Sequence, residues 1–237
     1  TVKEPARTLA PKPLPKNFFK EVWKTFQIMM AIPSLRHIVI GCTLVVFVGY
    51  GTAYWNGVFF RRLHGLSPSE TGILLALVGG LIGGIGTFFG GWLADKLATK
   101  DKRAYVWLTA IVKVLMAPFI AWFYFERDTT TAAYLLTIIA FFGGFYLSVS
   151  FAMTQTLLPA ASRALGAALL LFFINIIGLG LGPFMVGVLS DVFYADYGKD
   201  GLRYALLIVT LLNIWGALHY FLAGRTLAAD LETATRQ

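Results

Sequence analysis

Charge is scarce in this 237-residue chain. Asp, Glu, Lys and Arg together make up 14%, against 57% hydrophobic residues, and the mean hydropathy is +0.71. Soluble domains carry about 25% charge, so an ordinary globular domain is excluded. Cysteine is nearly missing: Cys42 alone leaves no disulfide framework and no thiolate metal site within the chain. Histidine occurs only at His37, His64 and His219, with no His-x-x-x-His pair. There is no phosphate-binding Gly-x-x-x-x-Gly-Lys loop and no Ser/His/Asp set at one depth. An enzyme is therefore not expected, and no motif calls for a cofactor or metal. Period-two alternation is absent too, which leaves helices as the way to cross a bilayer.

What the chain does have is long apolar runs. A spanning helix needs roughly 20 mostly apolar residues, and six segments qualify: 34–60, 69–97, 103–125, 131–158, 164–193 and 202–224. The expected fold is an all-α, six-helix transmembrane bundle over 34–226, making a multi-pass integral membrane protein. Residues 1–33 form a cytoplasmic linker with an interfacial helix, and 227–237 a cytoplasmic tail. Four of the nine prolines (Pro5, Pro11, Pro13, Pro15) mark 1–16 as extended linker. In 17–32, Phe18, Phe19, Val22, Trp23, Phe26, Met29 and Met30 recur at helical spacing opposite Lys20, Glu21, Lys24 and Gln27. That pattern, with Asn17 as N-cap, fits an amphipathic helix lying on membrane lipids or packed on a partner domain. The first apolar run follows this basic stretch without a small-residue cleavage site, so no signal peptide is expected. The chain begins at Thr1, as a piece of a longer polypeptide or a trimmed terminus would.

A net charge of +8 suits nucleic acid or a membrane surface, and its distribution favours the membrane. With both termini cytoplasmic, the inner side holds Lys3, Arg7, Lys12, Lys16, Lys20, Lys24, Arg36, Lys96, Lys100, Lys102, Arg103, Arg163, Arg225 and Arg236. The outer side holds Arg61, Arg62, Arg127, Lys199 and Arg203. Fourteen against five obeys the positive-inside bias, and nucleic acid is not expected as a partner.

Glycine is abundant, at 24 residues. The second segment carries small-xxx-small pairs at Gly79/Gly83, Gly80/Gly84 and Gly86/Gly90, and the fifth carries Gly178, Gly180, Gly182 and Gly187. Such density lets helix backbones approach closely in lipid. The pattern Gly-x-Leu-x-Asp closes both segments, as Gly91 to Asp95 and Gly187 to Asp191, 187 − 91 = 96 residues apart. If each copy lies on the middle helix of a three-helix unit, the units enter the membrane from opposite sides. That is the inverted repeat of secondary transporters.

Lys113 is the one charge near mid-bilayer, where an ionisable group costs about 2.5–3.5 kcal/mol and is a functional candidate. Snorkelling to the inner interface, helped by a kink at Pro118, is the competing account. Asp95 lies at the cytoplasmic rim, where a carboxylate can pair with a cation and latch one conformation. Arg163 is an in-chain candidate partner, and Asp191 with Arg203 would match it outside. The first segment offers Thr43, Phe47, Tyr50 and Tyr54 along one face, with Trp55 and Asn56 beside it. The fourth offers Tyr146, Ser150 and Met153, with Gln155 adjacent. Aromatic bodies with few polar tips suit an amphipathic small molecule, though aromatics also simply fill bundles.

The Gly91-x-x-x-Asp95-Lys96 element and its basic loop resemble the cytoplasmic signature of the major facilitator superfamily, in the form found in that superfamily's second half. Phe60 to Ser67, Gly90 to Leu97, and Asn175 to Pro183 running on to Asp191 are similar to spinster-like lipid transporters. The resemblance spans 34–224. It implies half of a 12-helix fold, whose partner is the N-terminal six-helix half, working by alternating access. First and fourth helices would line the cavity, second and fifth form the seam, and third and sixth brace the outside. Spinster-like members export lysophospholipids or sphingosine phosphate, many by proton-linked symport or antiport, but the usual coupling acid and arginine belong to the other half. Transport of small organic anions through Arg61 or Lys113, and a non-transporting membrane scaffold, are the alternatives.

Overall fold

The computed structural model describes residues 17–236. The expected linker 1–16 lies outside the described residues. Helix α1 (Phe18–Ala31) starts where Asn17 Oδ1 accepts the Lys20 N–H at 3.2 Å, satisfying one orphan donor of the first turn. It leaves Phe18, Phe19 and Trp23 exposed while Met29 and Thr25 are buried on the bundle. Ile32, held extended before proline, breaks the chain, and Pro33 opens α2 (Pro33–Leu63).

Gly65, at φ +69, turns the chain back toward α3 (Pro68–Ala98), which starts with a Ser67/Glu70 capping box. Then come α4 (Ala104–Phe125), α5 (Thr129–Leu157), α6 (163–197) and α7 (Gly201–Thr235). By length and hydropathy five stretches suffice to cross a membrane. The last of these, Ala160–Thr235, contains both α6 and α7, folded back on each other by the tight turn Gly198–Asp200 with Gly198 at φ +55. The architecture is all-helical, with six long helices behind α1.

Helix α7 does not end with the apolar run. It continues to Thr235, and Asp230 Oδ2 accepts the Ser34 N–H at 2.9 Å. The stretch read as a tail thus caps the positive end of α2.

Helix pairing carries the two-fold logic of the repeat. The glycine face of α3 meets α5, and the glycine face of α6 meets α2. A methyl on Gly86 would overlap the Phe141 backbone, and one on Gly182 the Phe47 carbonyl. Likewise α7 packs on α2 and α4 on α5, while α4 and α7 pack on each other. When α2, α3 and α4 exchange with α5, α6 and α7, each of these pairs maps onto another, and the α4–α7 pair onto itself. Both second helices also widen into a π-helical stretch, at Ala76–Ile82 in α3 and Ile174–Leu181 in α6. In lipid such contacts hold by close van der Waals approach.

The symmetry breaks at one seam. Between α2 and α7, Gly41 and Gly216 bring the backbones together, and a Cβ on Gly41 would lie 3.1 Å from the Gly216 carbonyl. The counterpart between α4 and α5 has Lys113 and Tyr146 instead, and stands open.

Candidate functional site: a chamber inside the bundle

The open seam belongs to a cavity of 630 Å³. Its mouth is framed by residues that are themselves exposed: Gly49 and Ala53 of α2, Gly80 and Gly84 of α3, and Leu147 of α5. Its floor reaches past α2 and α5 to Lys113 and Tyr124 of α4 and to Thr210 and Asn213 of α7. Third and sixth helices, expected only to brace the outside, therefore contribute to the wall. Much of the volume exists because glycines line it: a Cβ built on Gly79, Gly80, Gly84 or Gly143 would meet nothing within 4 Å.

Lys113 stands roughly 14 Å along α4 from Ala104 at 1.5 Å per residue, deep in the membrane. It is only 8% exposed. Its ammonium does not snorkel: Nζ donates to the Gly143 carbonyl at 2.9 Å and lies 4.9 Å from the Tyr146 ring centre. The local cause is a break in α5. At Gly144 (φ −85, ψ −4) the helix ladder slips, and the Leu147 N–H bonds the Gly144 carbonyl instead of that of Gly143. Glycine is required there because any Cβ would strike Thr87 of α3. The break frees a carbonyl, and Lys113 satisfies it.

Of the expected binding residues, the chamber collects Tyr50, Asn56 and Tyr146. Asn56 Oδ1 accepts from Tyr124 Oη at 3.4 Å. Thr43 donates to the Val39 carbonyl at 2.8 Å and faces a separate apolar groove of 300 Å³ with Phe26, Met30 and Phe173. Phe47 is buried against α6, and Trp55 Nε1 donates to the Pro183 carbonyl at 2.8 Å. Ser150 is bound up with Tyr220 Oη at 2.6 Å, and Met153 is core. Tyr54 and Gln155 lie outside the chamber on the open surface of α2 and α5. Thr210, Asn213 and Tyr124 escaped sequence reasoning. A polar amide midway along an apolar run was the available signal for Asn213.

The expected gating pairs are not joined here. Asp95 is exposed at the end of α3. Arg163 Nε donates to the Leu158 carbonyl at 3.2 Å, capping α5. Asp191 is exposed, while Arg203 bonds Asp200 at 2.9 Å and the carbonyls of Tyr124 and Glu126. Arg61 bonds the Gly57 carbonyl at 3.1 Å, away from the chamber.

No family model matches the chain. It is 32% identical over 205 residues to an MFS-type efflux pump of Mycolicibacterium smegmatis (strain ATCC 700084 / mc(2)155), covering 86% of this chain and 48% of the pump. It superposes on a bacterial homologue of the human lysosomal transporter Spinster, inward-facing and unoccupied, with TM-score 0.76 and 25% identity, over 97% of this chain and 55% of that one. The occupied, inward-facing form of such a homologue gives TM-score 0.71 and 25% identity, over 84% and 50%. The chain is a major facilitator superfamily homologue. It spans about half the length of these relatives, so its six helices match half of a major facilitator fold, in a multi-pass membrane protein. The relatives are transporters, not enzymes.

Proposed function

We propose that the chain is the C-terminal half of a secondary transporter moving an amphipathic lysolipid, such as a lysophospholipid or sphingosine phosphate, by alternating access. The N-terminal six-helix half completes it, both termini are cytoplasmic, and α1 rests on the lipid surface. The observation that carries the reading is the face of α2 and α5, aromatic and sparsely polar at mid-membrane, with a 630 Å³ chamber opening from it. A sugar pocket would need denser donors and acceptors. Tyr54 and Gln155 on the open surface and Tyr50 and Tyr146 in the chamber are the proposed contacts.

The test uses the full two-bundle protein in liposomes, supplied with a lysolipid or a small organic acid. Tyr50→Ala and Tyr146→Ala should each lower lysolipid affinity about 5- to 30-fold, the loss of one aromatic wall being worth about 1–2 kcal/mol. Leu211→Ala, on the exposed side of α7, should not. Normal lysolipid transport by both tyrosine variants would remove this face from the pathway. Transport of small organic anions is the second reading, favoured by Lys113 with no acidic residue in the chamber wall.

A further inference from the structure

The chamber has a closed end that the transport reading does not require. A pathway between two bundles needs only the outward faces of α2 and α5, yet this cavity continues behind them to α4 and α7. Two polar side chains end it, each more than nine-tenths buried: Lys113, 8% exposed, and Asn213, 7% exposed. Both are incompletely paired. An ammonium has three donors, and Lys113 spends one on the Gly143 carbonyl. Asn213 Oδ1 is buried with no hydrogen-bond partner. A cation and a side-chain amide, at the end of an apolar, glycine-lined chamber, form a complementary surface for a particular chemistry. That chemistry is an anionic group with a hydroxyl close by.

We infer that the chamber is a head-group pocket: Lys113 takes the phosphate of an amphipathic ligand, the Asn213 amide hydrogen-bonds a neighbouring hydroxyl, and the tail leaves by the mouth between Gly49, Gly80 and Leu147. This rests on the transporter reading and names which end of the ligand enters the bundle. The Tyr146 ring, beside the Lys113 ammonium at 4.9 Å, holds the charge in place when the pocket is empty. The contact with Gly143 does not account for the charge, since a neutral donor would satisfy that carbonyl equally well. The pocket also predicts discrimination: a neutral head leaves the ammonium unanswered, and a bare alkyl phosphate leaves Asn213 unanswered.

The test is displacement of radiolabelled lysophosphatidate from the full two-bundle protein. Competitors are lysophosphatidate, the monoacylglycerol of the same chain, the alkyl phosphate of matched length, and glycerol 3-phosphate. The wild type should prefer lysophosphatidate to monoacylglycerol about tenfold or more, a charge-assisted contact's share of affinity. Lys113→Gln keeps a donor for Gly143 but no charge, and should abolish that preference by weakening lysophosphatidate while relieving the penalty on the neutral monoacylglycerol. Asn213→Leu should reduce lysophosphatidate to the level of the alkyl phosphate. No preference in the wild type, or an unchanged one in folded Lys113→Gln, overturns the pocket. If Lys113→Gln does not fold, Asn213→Leu decides, and equal loss for lysophosphatidate and alkyl phosphate overturns it. Failure of every tailed ligand to bind, with radiolabelled glycerol 3-phosphate bound directly by the wild type and not by Lys113→Gln, keeps the pocket and sinks the lysolipid reading. Tight binding of monoacylglycerol and lysophosphatidate alike keeps the lysolipid reading and sinks the pocket.

Discussion

Arg203 shows how a single side chain can close one end of a membrane bundle. Helix α4 stops at Phe125, leaving its last carbonyls without amide partners. Arg203, reaching across from α7, donates to the Tyr124 and Glu126 carbonyls, bonds Asp200 through Nε, and lies 5.3 Å from the Phe59 ring centre. Beside it His64 is wedged against Phe59 and Phe60, with Nδ1 3.3 Å from Thr129 Oγ1 and Nε2 buried without a partner. Burial first, and the Arg203 charge second, lower the His64 pKa below the ordinary 6.5. The folded protein therefore binds fewer protons here than the unfolded chain. The contribution of neutral His64 is complete above pH 6.5 and is lost as pH falls from 6.5 toward the lower folded value. Glu126 and Asp128, whose hydrogen bonds to backbone N–H groups hold their pKa values down, stay ionised in that window. The His37–His219 pair, with Nδ1 atoms 2.9 Å apart, is a separate contact between α2 and α7. His64→Phe should flatten part of the fall in melting temperature between pH 7 and 5. Thermal unfolding profiles of variant and wild type that remain parallel would show that His64 does not titrate in this way.

Among the elements, the glycine helices serve two separable purposes. At Gly86 of α3 a methyl would press on the Phe141 backbone, which cannot move aside as a side chain could. Gly86→Ala should cost about 1–3 kcal/mol, as overpacking does, and lower the melting temperature. Gly80, earlier in α3 within its π-helical stretch, has open space where its Cβ would be. Gly80→Leu should leave the melting temperature near that of the wild type and abolish ligand binding by filling the chamber. The reverse pattern would mean that the chamber is incidental to function. The six long helices were legible in the sequence because lipid enforces helices on long apolar runs, and the glycine seams because small-xxx-small pairs mark close backbone approach. The chamber was less legible. Hydropathy and spacing grouped Thr43, Phe47, Tyr50 and Tyr54 as one face of α2, which they are. That face, however, turns partly into α6 and partly outward, and only its Tyr50 joins Val45, Gly49, Thr52, Ala53 and Asn56 in the chamber. Periodicity finds a face but cannot say which neighbour it meets. The slip at Gly144, which frees the carbonyl that Lys113 satisfies, depends on Thr87 of another helix and leaves no local mark. Arg203 was paired with Asp191 on symmetry alone, whereas the turn at Gly198 puts Asp200 within its reach.

At the scale of the whole molecule, half of the superfamily fold is self-consistent yet leaves apolar surface uncovered. Phe88 of α3 and Phe184 of α6 are 78% and 63% exposed. They lie on the second and fifth helices, the pair that the resemblance places at the seam, and on the proposed reading the N-terminal six-helix half is their occupant. Asp95 and Asp191 end the equivalent copies of Gly-x-Leu-x-Asp on those helices, and neither forms an ion pair among the described residues. On the proposed alternating-access reading, the two carboxylates lie at opposite rims of the seam, so each comes near the other bundle when its own side of the pathway is closed. A carboxylate so placed stabilises one closed state through a cation or a helix N-terminus across the seam and contributes nothing to the other. Only such a differential contact can shift the balance between states. Asp95→Asn should therefore favour opening of the cytoplasmic side without unfolding the bundle, since Asp95 is exposed and supports no core contact. Loss of one exposed charge-assisted contact of about 1 kcal/mol would shift the inward-to-outward ratio about fivefold. Spin labels across the cytoplasmic gate of the full protein should report a larger long-distance population in the variant. Asp191→Asn should move the same distribution the opposite way. Identical distance distributions in wild type and both variants would refute the latch, and a shift of equal sign in both would refute the inverted pairing of the two rims.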